Sequence, residues 1–174
     1  MPGPTWRPIL PTDIPQIMPI SEAIHSALPE SAAVFAERVR LFPEGCLVLM
    51  DDETSPESRV CGYAISHPIR RRQPPALNAL LGGISEDADQ YYIHDVAVLP
   101  EARGQGAARG QGAAREGVER LMAVAAKWET VGLVSVYGTT GFWGRFGFRE
   151  VTEDEGLEGK VRAYGEEAVF METV

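Results

Sequence analysis

Short apolar runs alternate along the chain with segments in which apolar residues recur at helical spacing. The runs are rich in β-branched and aromatic residues and end at turn-forming residues, as strands do. They predict strands over residues 6–10, 46–50, 59–66, 91–99, 133–137, 148–152 and 168–174. The helical spacing predicts helices that begin near residues 14, 29 and 113, and a short helix over 139–146. This mixture of strands and helices indicates an α/β fold.

Proline, glycine and acidic residues interrupt the pattern. Pro19 lies inside the first helical segment, where its missing N–H is expected to kink or end the helix. Gly62 lies inside a predicted strand and indicates a bulge or a close approach of two backbones. Residues 154–159 are acidic and are predicted to form a turn.

Residues 67–90 form the longest segment without regular periodicity. Loops of this length inside compact domains are often functional, and this one leads directly into the apolar run over 91–99. We therefore expect it to form a wall of a substrate pocket. Its basic run, Arg70 to Arg72, is predicted to be a solvated charged face.

Composition and charge restrict the class of protein. A length of 174 residues suits one domain, and no apolar run resembles a membrane span or a signal peptide. Cys46 and Cys61 lie in apolar runs, so we expect reduced core thiols in a cytoplasmic protein. The three histidines lack metal-ligand spacing, and no metal is expected. The net charge of −9 disfavours non-specific nucleic-acid binding and weakly favours cationic ligands.

The stretch from Tyr91 to Arg115 carries the strongest chemical signal. A predicted strand ends at Pro100, glycines follow, and apolar residues take up helical spacing from about Ala113. Backbone N–H groups and the helix dipole favour an anion at such a turn, and glycines let the backbone approach it closely. The stretch therefore predicts a phosphate-binding site.

Two known phosphate-binding patterns fit this stretch poorly. A P-loop requires Gly-Lys-Ser/Thr after the glycines, and none follows here. The dinucleotide pattern G-x-G-x-x-G is incomplete, because Arg109 stands in the third glycine position after Gly104 and Gly106. A nucleotide-binding domain is therefore disfavoured.

Two motifs instead resemble the GNAT N-acetyltransferase superfamily. Residues 96–107, V-A-V-L-P-E-A-R-G-Q-G-A, resemble its acyl-CoA signature, a strand ending in V-x-P followed by R-G-x-G-x-G/A. Residues 141–148, G-F-W-G-R-F-G-F, resemble its F-Y-x-R-x-G-F segment. The resemblance covers roughly residues 6–152 and implies a single domain over 1–174.

The resemblance implies a GNAT fold with a mixed, mostly antiparallel sheet of six to seven strands, splayed central strands and about four helices. It also implies transfer of an acetyl group from acetyl-CoA to a primary amine, directly within a ternary complex. The charge suggests a small cationic amine as acceptor, with neither nucleic acid nor membrane as partner. A protein N-terminus or lysine, an aminoglycoside-like amine and an arylalkyl amine are the alternatives. A monomer and a homodimer are both compatible with the sequence.

The resemblance assigns the cofactor-binding residues. The backbone of Val96, Ala97 and Val98 is expected to pair with pantetheine, and Phe142 and Trp143 are expected to pack against it. The phosphate cradle is expected to be formed from Arg103, Gly104, Gln105, Gly106, Ala107, Arg109, Gly110, Gln111, Gly112, Ala113 and Ala114. Contact of Arg70 to Arg72 with the 3′-phosphate of CoA is the alternative to their solvated role.

A doubled hexad leaves two registers for this cradle, because G-Q-G-A-A-R occupies both 104–109 and 110–115. If the first copy binds phosphate, the helix begins near Ala107 and contains Gly110 and Gly112, each costing about 1 kcal/mol relative to alanine. If the second copy binds phosphate, the helix begins near Ala113 and the preceding loop absorbs the extra residues at little entropic cost. We favour the second register.

Strand alternation places Tyr92, His94, Val96 and Val98 on one face and Asp95 on the other. His94 is the candidate general base, because the unperturbed pKa of histidine lies near working pH. Relatives carry a pair of histidines here, and Tyr92 stands in the place of the first. The alternative is a half-buried structural histidine, and Asp95 is expected to be structural.

The general acid is where the sequence departs from the family. Trp143 replaces the usual tyrosine, and an indole N–H is not acidic enough to donate a proton. Tyr137 is the candidate replacement, with water as the alternative. Arg145 is expected to have a structural or charge-pairing role. The substitution also motivates a second hypothesis, a non-catalytic acyl-CoA-binding sensor.

Overall fold

A computed structural model of the chain describes residues 3–52, 54–103 and 112–173. Within these ranges lie seven strands: β1 Thr5–Pro8, β2 Cys46–Met50, β3 Val60–Ile69, β4 Gln90–Val98, β5 Val131–Ser135, β6 Phe148–Glu150 and β7 Val169–Thr173. The same ranges contain six α-helices rather than about four: α1 Ile14–Ile24, α2 Ala32–Leu41, α3 Pro100–Arg103, α4 Gly112–Ala125, α5 Thr140–Gly144 and α6 Glu155–Val161. None of these helices is long and apolar enough to cross a bilayer.

The strands form one mixed sheet in the order β1-β2-β3-β4-β5-β7-β6. Every neighbouring pair is antiparallel except β4 and β5, which are parallel. That parallel pairing covers three positions, from Tyr91 opposite Val131 to Ile93 opposite Leu133. Both strands continue beyond these positions without pairing to each other, which confirms the predicted splayed centre of a mostly antiparallel sheet.

Helices cover the two faces of the sheet and form two apolar layers. On one face α4 contributes Val118 and Leu121, both fully buried in one cluster with Trp6. On the other face α1 and α2 contribute Ile17 and Phe35 to a second cluster. Burial of these side chains supplies most of the stabilisation of helices this short.

The element boundaries correct three predictions. Pro19 does not end α1, which continues to Ile24 because Ile17 and Ile20 are buried against the sheet. The acidic segment 154–159 is largely helix α6 rather than a turn, since the Asp154 carboxylate accepts the Leu157 N–H at 3.1 Å and caps it. β5 ends two residues earlier than predicted, which leaves Tyr137 beyond the strand.

Gly62 marks a close approach of backbones, as predicted. A Cβ at this position would lie 2.8 Å from the carbonyl oxygen of Ala97 on β4. The pairing of β2 with β3 also shifts beside it, between Leu49 and Met50. The glycine therefore lets β3 lie closely against the strand that lines the cleft described below.

Two helical glycines predict opposite effects of alanine on stability. A Cβ on Gly117 would lie 2.6 Å from the Trp6 ring. The ring is held in place because its Nε1–H donates a hydrogen bond to the Ala113 carbonyl. Gly117→Ala is therefore expected to lower the free energy of unfolding by about 1–3 kcal/mol through overpacking. Gly159→Ala in α6 meets no atom within 4 Å and is expected to raise it by up to about 1 kcal/mol. Chemical denaturation measures both, and equal stabilisation by the two substitutions would contradict the packing of Trp6 against α4.

Candidate active site

A cavity of about 390 Å³ opens where β4 and β5 diverge. Its deep walls are apolar and come from Ile93, Val96 and Val98 on β4 and from Leu133 and Val134 on β5. The polar side chains that line it are those of Ser21, His25, Glu30, His94, Asp95, Arg103, Tyr137, Thr139 and Tyr164. The cleft thus combines an apolar slot with a cluster of groups that can exchange protons.

A bulge in β4 sets the direction of the polar groups. Ile65 pairs with Asp95 and Ser66 pairs with Ile93, so His94 is an extra residue on β4. The side chains of His94 and Asp95 both reach the segment that connects α1 with α2.

The bulge makes the predicted alternation wrong. Val96 and Val98 pack with Ile93 in the α4 layer, rather than on the face of His94. Asp95 does not point away from His94, because one extra residue reverses the alternation. Both groups therefore belong to the candidate site.

His94 is paired with a carboxylate. Its Nε2 lies 2.6 Å from Glu30 Oε1, with side-chain exposures of 2% and 8%. Burial opposes ionisation of Glu30, but the hydrogen bond and charge of His94 outweigh it and lower the pKa of Glu30. His94 Nδ1 is buried and has no hydrogen-bond partner among the described residues. A carboxylate that accepts the Nε2 proton leaves Nδ1 as the free acceptor.

A second pair joins His25 to Asp95. His25 Nε2 lies 2.8 Å from Asp95 Oδ1, and the Tyr63 hydroxyl donates to Asp95 Oδ2 at 2.5 Å. Burial opposes the charge on both partners of the pair. The hydrogen bond between them outweighs burial, so the pKa of His25 is raised and that of Asp95 is lowered.

Tyr137 follows β5 in a left-handed conformation, with φ of +55°. Its ring stacks on His25 at 5.7 Å between centroids and 15° between planes. Its hydroxyl lies 3.4 Å from His25 Nδ1, and half of the residue is exposed to solvent. Burial and then the charge of Asp95 raise the pKa of Tyr137.

Tyr92 is buried away from this cluster. It is 1% exposed, packs in a third apolar cluster with Leu157 and Val161, and is absent from the described residues that line the cavity. Its hydroxyl donates to Tyr164, which donates to the Pro75 carbonyl at 2.7 Å. Tyr92 therefore reaches the cavity through Tyr164, not by its own side chain.

His67 is a buried neighbour of His94, with ring centroids 5.9 Å apart. Its Nδ1 donates to the Pro68 carbonyl at 3.1 Å, and burial lowers its pKa to about 3. It is therefore neutral at working pH. Although three histidines meet here, the described ranges contain no group of three or more His, Cys, Asp and Glu side chains arranged to hold a metal ion.

A second cavity of about 280 Å³ adjoins the first and shares Arg103, Ala114 and Phe142 with it. Arg115 and Arg145 also line it. Arg115 pairs with Glu119 at 2.8 Å, whereas Arg145, expected to pair with a charge, has no ion pair among the described residues. The cavity thus carries cationic side chains next to the first turn of α4, where an anion is favoured.

Helix α4 is described from Gly112, the first residue after 104–111, so its bounds do not distinguish the two cradle registers. The cradle residues Gly104, Gln105, Gly106, Ala107, Arg109, Gly110 and Gln111 lie outside the described residues, so the choice of register stays a prediction. Trp143 lines the first cavity and is 9% exposed, and its ring packs edge-on against Phe142 and Phe148.

The segment predicted to wall the pocket does so through Leu77. Its Asn78 N–H also donates to Glu30 at 3.1 Å. The arginines of this segment are exposed or partly exposed, as expected of a solvated face, and they pair with acids: Arg70 with Asp87, and Arg71 and Arg72 with Glu172. Burial opposes ionisation of Glu172, but the hydrogen bonds from Arg72 and Arg71 outweigh it and lower its pKa to about 2. These arginines do not line either of the two cavities that meet at Phe142.

Sequence reasoning missed several groups of the cluster. His25 and Glu30 lie between α1 and α2, in a connection without a motif, and Tyr63 lies within a strand read as apolar. Asp95 was assigned to the wrong face. The sequence does show that Asp95 is adjacent to His94. Only the bulge in β4 reveals that both side chains reach the same cluster.

Comparisons with known proteins place the fold. A sequence model of the acetyltransferase (GNAT) family matches residues 14–148, while curated protein sequences yield no match. The structure resembles the loading GNATL domain of CurA from Lyngbya majuscula, with a TM-score of 0.74, 14% identity, and coverage of 99% of this chain and 98% of that one. It resembles a chain of the NatC complex bound to Gag peptide and CoA, with a TM-score of 0.69, 17% identity and coverage of 99% and 98%.

A third similar structure is Arabidopsis thaliana Naa50 in complex with the bisubstrate analogue CoA-Ac-MVNAL. The TM-score is 0.66 at 10% identity, over 99% of each chain. Identities this low establish the shared fold.

The histidine environments predict distinct titrations by NMR. The His25 ring is expected to titrate with a midpoint above 6.5, because Asp95 stabilises its charged form. The His67 ring is expected to stay neutral from pH 8 down to pH 5. Asp95→Asn is expected to move the His25 midpoint to lower pH and to leave His67 unchanged. A His25 midpoint below 6.5, or one unaffected by Asp95→Asn, would contradict the pairing.

Proposed function

The chain belongs to the acetyltransferase (GNAT) family, and on that premise we propose that it acetylates the primary amine of a small cation. Acyl transfer is the chemistry of the family, and the chain is an enzyme of the N-acetyltransferase class. The observation that carries the finer proposal is the open edge of β4 beside two ionised carboxylates.

The cleft supports binding of acetyl-CoA between the splayed strands. Beyond Ile93, β4 has a backbone edge that β5 does not pair, and backbone groups removed from water need a partner. In the proposed complex the pantetheine amides pair with the backbone of Val96 to Val98. The backbone N–H of Val96 or Ala97 polarises the thioester carbonyl. Apolar side chains on both sides of the slot match the alkyl parts of pantetheine.

The adjoining cavity supports binding of the phosphates. It brings Arg103, Arg115 and Arg145 next to the first turn of α4, which has fourteen residues. A helix N-terminus and guanidinium groups both stabilise phosphate charge. Arg145 has no acidic partner in the described part of the chain, so its charge is available to the ligand.

The acceptor end of the cleft supports a cationic substrate. Glu30 and Asp95 both have lowered pKa values and are ionised at neutral pH. The net charge of −9 adds a weak attraction for cations. Leu28 and Leu77 line the same cavity, so the apolar part of a small amine has a surface to pack against.

Histidine 94 is the proposed proton acceptor. With its Nε2–H donated to Glu30, His94 Nδ1 has a free lone pair, and its side chain lines the cavity. An amine must lose a proton to attack the thioester, and a positioned histidine is suited to take it. Glu30 holds the ring orientation and stabilises the imidazolium that forms.

Direct transfer in a ternary complex is favoured over an acylated cysteine. Cys46 and Cys61 are both buried, and burial raises their thiol pKa values to about 12 and about 11. Neither is among the described residues that line the cavity. A thiol held protonated in this way is a poor nucleophile.

An acyl-CoA sensor without catalytic activity is the second candidate. It is favoured by Trp143, which stands where the family motif carries tyrosine and cannot act as a proton donor. The sensor would bind CoA in the same cleft. It differs from the enzyme in releasing no free thiol with any amine.

The proposal predicts that the protein releases free CoA thiol from acetyl-CoA in the presence of small cationic amines. Colorimetric detection of the free thiol measures this release. His94→Ala is expected to lower kcat by about 10²-fold, the size of general-base effects, and to remove the ascending limb of the pH profile. Its Kd for acetyl-CoA is expected to match that of the wild type.

A thermal melt distinguishes binding of acetyl-CoA from transfer of its acetyl group. Acetyl-CoA at about 100 times its Kd adds about 2.7 kcal/mol to the stability of a protein that binds it. Stabilisation without thiol release from amines or N-terminal peptides would favour the sensor. Stabilisation by ATP or NAD but not by acetyl-CoA would refute both candidates, and undiminished kcat in His94→Ala would refute the role of His94.

A further inference from the structure

A second imidazole faces the cavity and has no part in the proton acceptance assigned to His94. His25 is held by Asp95 through Nε2 at 2.8 Å, and its Nδ1 lies 3.4 Å from the Tyr137 hydroxyl. His25, Asp95 and Tyr137 all line the cleft, and Tyr137 is half exposed. A chain of hydrogen-bonding groups therefore runs from a buried carboxylate, through an imidazole, to a hydroxyl on the cavity surface.

The groups around His25 favour its charged form. Burial opposes the charge, but the hydrogen bond and charge of Asp95, together with the charge of Glu30, raise the pKa of His25. Tyr63 donates to the second oxygen of Asp95 and keeps the carboxylate facing His25. Tyr137 is the neutral partner on the remaining nitrogen. The imidazolium can then donate Nδ1–H to the Tyr137 oxygen.

The two histidines thus have different partners and different available protons. His94 pairs with Glu30 and retains an unpartnered Nδ1, the arrangement of a proton acceptor. His25 pairs with Asp95 and has a hydroxyl at Nδ1, the arrangement of a proton donor. Titratable groups with divergent environments in one site divide the acid and base roles.

The geometry points to Tyr137, supplied with a proton by His25, as the group that protonates the sulfur of CoA as it leaves. Asp95 is the positioning residue of this pair. The inference rests on the proposed acetyl transfer. It fills the role left open by Trp143, whose buried indole packs against Phe142 and Phe148.

The proton transfers balance across the reaction. The amine nitrogen bonds to the carbonyl carbon, and the C–S bond breaks with its electron pair on sulfur. The Tyr137 hydroxyl proton moves to sulfur, and the Nδ1 proton of His25 moves to the Tyr137 oxygen. His94 takes the proton that the ammonium loses before attack, and the second proton leaves the nitrogen to solvent as the amide forms. Solvent then returns a proton to His25 and removes one from His94, so the products are the amide, free CoA thiol and one released proton.

The pH dependence has a definite sign. His25 carries the proton to be donated below its raised pKa and loses it as the pH rises through that value. The rate therefore falls on the alkaline side, in a descending limb that belongs to His25.

Two substitutions test the donor. His25→Gln retains a side chain that can bind Asp95 but has no transferable proton, and Tyr137→Phe removes the hydroxyl at the cavity surface. Each is expected to lower kcat by about 10²-fold with KM for acetyl-CoA unchanged. His25→Gln is expected to lose the descending limb of the pH profile. In Tyr137→Phe the His25 ring is expected to continue to titrate by NMR.

Asp95→Asn and a neighbouring control separate this role from a structural one. Asp95→Asn is expected to shift the descending limb to lower pH, because loss of the carboxylate lowers the pKa of His25. Ser26→Ala changes the exposed residue next to His25 and is expected to leave kcat and the pH profile unchanged. Thermal melts and the Kd for acetyl-CoA report whether each variant is folded.

The outcomes are distinct. A descending limb that persists at the same pH in His25→Gln, or full turnover in Tyr137→Phe, overturns this inference and leaves the acetyltransferase proposal standing. A wild type that binds acetyl-CoA and acetylates no amine refutes the proposed function, and the proton donor with it. If His25→Gln is unfolded, Tyr137→Phe decides, since its half-exposed ring contributes little to the core.

Discussion

The incomplete pairing of β4 with β5 is the constraint on which the rest of the site depends. Three paired positions hold the strands together, and beyond Ile93 each strand keeps a free backbone edge in the middle of a seven-stranded sheet. Free edges in a sheet centre are costly unless something else satisfies their hydrogen bonds. An extended ligand that carries amides and an apolar chain meets that requirement, and α4 and α5 place cationic and aromatic groups where such a ligand leaves the slot.

The bulge at His94 brings a cluster of titratable side chains to this slot. One extra residue directs His94 and Asp95 to the same segment between α1 and α2, where Glu30 and His25 meet them. A charge taken out of water needs a partner, and here each histidine has its own carboxylate. Glu30 also accepts the Asn78 N–H and Asp95 accepts the Tyr63 hydroxyl, so each carboxylate has more than one hydrogen-bond partner.

The sequence was sufficient for the fold because two motifs with a defined spacing identify the strand and the helices that line the cleft. It was insufficient for the cluster of polar side chains around His94. Strand alternation fails at a bulge, since no residue type marks the insertion at His94 and every side chain beyond it changes face. Local rules also failed where tertiary packing outweighs them, as at Pro19 within α1. His25 and Glu30 lie far from β4 along the chain, so only the packed structure shows that they share its cavity.

Amide hydrogen exchange tests most directly whether the splayed strands form the acyl-CoA site. If pantetheine pairs with the free edge of β4, as proposed, saturating acetyl-CoA slows exchange of the backbone amides of Val96 to Val98. The amides of β2, which lie inside the sheet and away from the cleft, are expected to exchange at the same rate with and without ligand. Protection confined to Arg71 and Arg72, with no change in Val96 to Val98, would contradict the account.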